Sequence, residues 1–461
     1  MKIGSDKKNL HDILYSDDLV NYNGIELLNK VRQSIIGRNI SVPCYAGSRP
    51  FIYLDYAATT PTFQQVWNVV CNTWNQPAEM KTEIIREVRS VCAGYLNAPL
   101  ADYDIIFTSN TTEAINLAAE SLHRETKNTT GSVVLNTLLE HNSNDLPWRL
   151  IPGYSLIRLN INPEGFIDPV ELETLLSDYN LKFLHGKKRI KLVAVSGASN
   201  VLGTYNNLEE ISRIVHKYEA NLLVDAAQLI AHRNIEMKKW GIDYLTFSAH
   251  KAYAPFGSGV LVIRKGLLNF SPEEQEKIHY SGEENVVGIA AMGKALSILQ
   301  NIGLDIIMEE EQILTKKAVD LLSQINGIKI HGIKNTESPL FHKRGGVISF
   351  SFKNFMPDVV AKELARNGIG VRYGCHCAHI LIKHLLKVPP SLERLQKIIV
   401  KVFPRIVLPG VVRISFGIGT SPDDIDVFTR VMAGFSKNST GSLDSRIKDF
   451  VNDRQQEVFG S

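Results

Sequence analysis

Between residues 104 and 263 the chain returns six times to a short apolar run, at 104–108, 132–138, 190–195, 221–224, 244–247 and 259–263. Polar or amphipathic segments fill the gaps, and those at 112–123 and 208–218 carry apolar residues at helical spacing. A strand buried on both faces has no polar side, so it reads as a continuous apolar run. Such runs alternating with helices predict a mainly parallel sheet in an α/β domain. Ligands of these sheets bind beyond the carboxyl ends of the strands, so the residues just after each run are where chemistry is expected.

The rest of the chain is organised around that core. Residues 1–50 read as a peripheral arm, partly helical over 24–36. Phe51-Ile52-Tyr53-Leu54-Asp55 reads as a short strand opening a large domain over 51–310. A helical stretch over 292–318 leads into a smaller α+β domain, 311–436, with strands at 346–352 and 411–416 and a helix at 358–367. Residues 437–461 form a polar tail rich in Ser and charge. Two domains suit a chain of 461 residues, which is more than one hydrophobic core commonly organises.

Charge and cysteine content narrow the class. The net charge is +3 with no long basic run, which argues against a nucleic-acid partner. The first residues lack the apolar segment of a secretory signal, and no stretch reaches the length of a membrane span. Five cysteines in a chain this large fit a reducing compartment, and the expected location is cytoplasmic. Cys375-His376-Cys377 with His379 invites a metal reading, but structural zinc pairs sit C-x₂₋₄-C with a second pair elsewhere, and no such pair is evident. No metal is expected.

Two consecutive runs deliver the most telling residues. The first ends in Asp225, with Gln228 three residues on, and the second ends in Ser248-Ala249-His250-Lys251. A lysine at the rim of such a sheet can form an imine with a carbonyl cofactor. An aspartate on the neighbouring strand end can keep a pyridine nitrogen protonated, which makes the ring an electron sink. Ser248 and His250 offer donors for a phosphate. Taken singly, each has a plainer reading: an aspartate that caps a helix, a lysine in solvent, a histidine satisfied by its neighbours.

This segment resembles the cofactor-binding region of class V aminotransferases, within the aspartate-aminotransferase fold, and is most similar to that of cysteine desulfurases and selenocysteine lyases. The resemblance runs in patches from about residue 53 to 425. It implies a fold-type I enzyme of pyridoxal 5'-phosphate, with a seven-stranded sheet in the large domain. It further implies that Lys251 carries the cofactor as an imine, Asp225 pairs with the ring nitrogen, Gln228 bonds the ring hydroxyl, and Ser248 and His250 bind the phosphate. Ser109-Asn110-Thr111-Thr112-Glu113 opens a helix after the first run, and by itself marks a cap at Asn110 or Thr111 as readily as an anion site. The resemblance assigns Thr111 and Thr112 to the phosphate. It likewise implies that His141, after Glu140, stacks on the ring and that Asn200 lies near the ring hydroxyl and the substrate.

The reaction is read from the second domain. Arg372-Tyr373-Gly374-Cys375-His376-Cys377-Ala378 resembles the stretch that carries the sulfur acceptor in desulfurases, with Cys377 in the acceptor's place. A nucleophilic thiolate needs nearby positive charge and exposure, and Arg372 and His376 are the expected sources of charge. Arg413 matches the arginine that grips the substrate α-carboxylate, where a planar fork gives geometry a lysine cannot copy; Arg372 is a second candidate. The resemblance implies conversion of L-cysteine to L-alanine with a persulfide on Cys377, a homodimer, and a sulfur-acceptor protein. The alternative is a selenocysteine lyase or another class V enzyme acting on a different amino acid. The chain departs from the family pattern at Ser281-Gly282-Glu283-Glu284-Asn285, where a threonine reaching the partner's phosphate is usual. It departs again in an insertion around 391–403.

Overall fold

The computed structural model describes residues 9–45, 47–125, 131–280, 282, 284–353, 355–388 and 410–438. Seven strands build the large sheet: β1 (Tyr103–Thr108), β2 (Ser132–Thr137), β3 (Tyr154–Leu159), β4 (Arg189–Ser196), β5 (Asn221–Asp225), β6 (Tyr244–Ser248) and β7 (Gly259–Arg264). Their spatial order is β1-β7-β6-β5-β4-β2-β3. Strands β2 to β6 run parallel, and β7 lies antiparallel between β6 and β1. Two reversals return β1 to the direction of β6, so every strand except β7 ends on the same edge.

Period-two side-chain alternation gives this sheet two cores. Val133, Leu135, Val193 and Val195 point into one cluster, and Val134, Leu192 and Ala194 into the other. Helix Thr111–Glu125 covers the second face with Ala114, Ile115, Ala118 and Leu122. Helix Val286–Ile302 lies on the first face and is apolar almost all round because other helices enclose it. Six strands coincide with the six apolar runs. The seventh, β3, went unread because it is an edge strand only partly buried, with Ser155 and Arg158 interrupting its apolar residues.

The second sheet is antiparallel throughout, in the order β8 (Ile328–Ile330), β9 (Val347–Phe352), β11 (Val411–Ser415), β10 (Arg372–Gly374). Helices Leu304–Ser323, Pro357–Arg366 and Pro422–Asn438 accompany it, and Leu314, Phe350, Leu364, Ile414 and Phe428 fill their shared core.

Three segments take a form that local pattern leaves open. The strand near residues 51–55 does not join the large sheet: Ile52–Tyr53 pairs in parallel with Ile369–Gly370, and Ile52 and Leu54 are buried in the smaller core. The N-terminal segment is not merely peripheral, since Ile13, Leu14, Leu27, Leu28 and Val31 pack into the main core. The helical stretch over 292–318 is two helices, Val286–Ile302 and Leu304–Ser323, bent by 77°. Gly303 between them has φ +89°, a left-handed conformation that glycine adopts without a Cβ clash. Among the described residues no single helix is long and apolar enough to cross a membrane. The insertion around 391–403 and the tail beyond 438 lie outside the described residues.

Candidate active site

A cleft of about 620 Å³ opens where the strand ends of the large sheet meet β10 and β11. All twelve residues singled out from the sequence line it. Strand β5 supplies Asp225 and the turn after it Gln228. Strand β6 ends in Ser248 and passes directly into the short helical turn Ala249–Lys251. That turn is pinned through the His250 carbonyl, which accepts from Thr60 N at 2.8 Å and from the Thr59 and Thr60 hydroxyls at 3.1 Å each.

Lys251 keeps partial access to the cleft, yet the protein packed around it pushes its ammonium below the ordinary lysine range; Asp225 opposes that shift and Arg413 adds to it. Asp225 is buried, accepts from Ala227 N at 2.9 Å, and has its carboxyl pushed up by burial against the pull of Lys251. A buried carboxylate in that state is stabilised by any cation brought to it. Gln228 Nε2 donates to Ala57 O at 2.7 Å. Burial, with Lys251 nearby, holds His250 down to about 4, so its imidazole is neutral near pH 7.

The start of helix Thr111–Glu125 settles the open capping question in favour of Asn110, whose Oδ1 accepts from Glu113 N at 3.0 Å. Thr111 and Thr112 are thereby left to the cleft. Ser248 Oγ accepts from Thr111 N and meets Thr111 Oγ1, both at 2.7 Å. Ser143 Oγ lies 2.7 Å from Thr112 Oγ1 and 2.9 Å from His141 Nδ1. His141 Nδ1 also accepts from Ser143 N at 3.2 Å, which puts the imidazole proton on Nε2. Burial first, then Lys251 and Arg413, lowers His141 to about 4. Beneath it Glu140 takes four hydrogen bonds, from the hydroxyls of Thr137 and Ser196, from Asn144 Nδ2 and from Ser196 N. Burial still carries its carboxyl up to about 7.

Strands β10 and β11 and the turn after β10 close the cleft. Arg413, on β11, is buried; Nη2 donates to Asp55 Oδ1 at 2.8 Å and Nη1 to the Asn200 carbonyl at 3.0 Å. Arg372, on β10, donates from Nε to Asp55 Oδ2 at 2.8 Å. Cys377 is exposed on the cleft wall, whereas Cys375 is half-buried and burial pushes its thiol up. His376 and Cys377 have φ of +51° and +52°, two consecutive non-glycine residues in the left-handed region. The turn is held from both sides: Asn142 N donates to Cys377 O at 2.7 Å, and Asn200 Nδ2 donates to His376 O at 2.9 Å.

One expectation about Cys377 is corrected. His376 does not lend it positive charge: the imidazole is buried, its Nε2 lies 3.2 Å from the Val411 carbonyl, and burial with Arg413 lowers it to about 3. Arg372 is itself paired with Asp55, and a cation that does interact electrostatically with Cys377 is Lys251. Sequence reasoning also missed Asp55, Glu140 and Ser196. Asp55 carried the same signal as Asp225, an acid closing a short apolar strand, but nothing local tied it to the arginines. Among the described residues no group of three or more His, Cys, Asp or Glu is arranged to hold a metal ion. Ser281 and Glu283 lie outside the described residues. Asn285 caps the following helix by accepting from Gly288 N at 3.0 Å.

The donor set suits a pyridine ring bearing a carbonyl and a phosphate: an amine held below its usual range, a buried acid, and hydroxyls gathered at a helix start. Residues 52–428 match the Aminotransferase class-V family. The chain belongs to that family. It is 33% identical over 337 residues to a probable cysteine desulfurase of Borreliella burgdorferi, covering 66% of this chain and 76% of the relative. It is 31% identical over 373 residues to a probable cysteine desulfurase of Halalkalibacterium halodurans, covering 73% and 86%. In three dimensions it resembles the apo cysteine desulfurase of Thermococcus onnurineus, with a TM-score of 0.72 at 26% identity, covering 89% of this chain and 98% of that one. The family uses pyridoxal phosphate, and the large, mostly parallel sheet found here is the fold expected of its members.

Proposed function

We propose that this protein is a pyridoxal-phosphate-dependent cysteine desulfurase that moves sulfur from L-cysteine to Cys377 and releases L-alanine. The observation that carries the reading is the exposed Cys377 thiol on the wall of the cleft that also holds Lys251 and Asp225.

Pyridoxal phosphate, when bound, supplies a carbonyl that takes up an amine and a ring that accepts the electron pair released at the substrate Cα. Lys251 would hold it, with Asp225 at the ring nitrogen, Gln228 and Asn200 near the ring hydroxyl, His141 against the ring face, and Thr111, Thr112, Ser248 and His250 at the phosphate. Arg413 and Arg372 receive the substrate carboxylate. Lys251, its amine favoured by burial, takes the α-proton. His141, neutral with its proton on Nε2, assists that transfer. The Cys377 thiolate then attacks the substrate sulfur: the S–S bond forms, the Cβ–S bond breaks, and the electron pair stays on the three-carbon fragment, which is protonated to alanine.

A substrate panel tests this. Purified protein supplied with L-cysteine and a reductant should release sulfide and alanine in equal amounts. Keto-acid release instead, or turnover of selenocysteine but not cysteine, would move the protein to another class V activity.

The same proposal includes a sulfur-acceptor protein beyond Cys377, a cytoplasmic location and a homodimer. Family resemblance motivates the dimer, and Trp67, Trp74 and Tyr280 stand exposed, as interface aromatics do in an isolated subunit. Light scattering should give the mass of two chains; a fully active single chain would end the idea.

A further inference from the structure

Arg372 and Arg413 are register partners, directly opposite each other on the antiparallel strands β10 and β11. Like charges so placed destabilise a strand pair. One carboxylate answers both: Asp55 accepts from Arg413 Nη2 on Oδ1 and from Arg372 Nε on Oδ2, each at 2.8 Å. Its backbone is fixed against the same strand. Ser415 N donates to Leu54 O at 2.8 Å, and Ala57 N donates to the Ser415 hydroxyl at 2.8 Å. The Asp55 and Arg413 side chains are 11% and 2% exposed, whereas Arg372, at 52%, reaches the open side of the cleft.

The arrangement fixes a charge count. Two unneutralised arginines at one end of an amino-acid site favour two carboxylates, as a dicarboxylic amino acid carries. With Asp55 shared between them the group sums to +1, the complement of one carboxylate. His376, the imidazole in the adjoining turn, is turned away to the Val411 carbonyl and adds no charge. We infer that Asp55 is a positioning and specificity residue that sets this site to a single substrate carboxylate and disfavours amino acids with a second anionic group. The inference rests on the proposed role of Arg372 and Arg413 at the carboxylate, and it names a substrate class that this role alone leaves open.

The test uses cofactor-loaded protein and reads binding of L-alanine and of L-aspartate from the change in the visible absorption of the cofactor, so no turnover is needed. Asp55→Asn should shift relative affinity toward aspartate by about tenfold or more, because the arginine pair then presents +2. Arg372→Gln, which leaves Arg413 neutralised, should shift it by a similar factor toward alanine. The double variant Asp55→Asn/Arg372→Gln returns the sum to +1 and should restore the wild-type ratio, a rescue that misfolding or simple loss of packing cannot produce. Should Asp55→Asn fail to fold, the opposite shift in Arg372→Gln carries the test. An aspartate-to-alanine ratio unchanged in either single variant, or moved the same way in both, overturns the inference. Shifts of the expected sign in a protein that does not turn over cysteine would uphold it while removing the desulfurase reading.

Discussion

Replacing Cys377 with alanine is expected to lower cysteine desulfuration by at least about a thousandfold, the scale seen when a covalent nucleophile is removed. Cofactor binding and the visible absorption should survive. The separation follows from position: Cys377 comes from the turn between β10 and helix His379–Leu385, whereas the residues assigned to the cofactor come from the strand ends of the large sheet and the loops after them. Its side chain is exposed, so the truncation leaves no buried cavity, and stability should change by no more than about 0.5 kcal/mol. Cys375→Ala should be much milder, because that thiol is half-buried, is pushed up by burial and does not line the cleft. Sulfide release near the wild-type rate in Cys377→Ala would remove the persulfide step and leave a class V enzyme of another activity.

Lys251→Ala has the larger expected effect, because the lysine serves both to hold the cofactor and to move the α-proton. Proton transfer by a positioned group is worth about 10²–10⁴-fold, and loss of the covalent anchor adds to that. Borohydride reduction of wild-type protein should fix the cofactor irreversibly on the peptide containing Lys251, and the variant should yield no such adduct. The anchoring turn should stay in place, since the His250 carbonyl that receives Thr59 and Thr60 is backbone and unaffected by the substitution. A labelled peptide from any other lysine would overturn the assignment.

Six of the seven strands of the large sheet, and the residues at their ends that line the cleft, were legible in the chain. Strands β2, β4, β5, β6 and β7 were legible because a strand buried on both faces must be apolar throughout, and edge strand β1 because Ile105, Ile106 and Phe107 still make an unbroken apolar run. Asp225, Ser248, His250 and Lys251 were legible because a parallel sheet gathers the residues at its strand ends on one edge. Tertiary structure decided what local pattern does not encode, namely the partners. Strand β3 was obscured because Ser155 and Arg158 break its apolar run, which its more exposed edge position permits. The strand Ile52–Tyr53 looked like the start of the large domain and instead pairs with Ile369–Gly370. His376 sits beside Cys377 in the sequence, yet burial makes it neutral. Asp55 lies 317 residues from Arg372 and 358 from Arg413, and only the packing of β11 against the chain at Leu54 makes it their common counter-charge. Burial is written residue by residue along the chain, whereas the choice of which charge meets which is made only when distant segments close on one another.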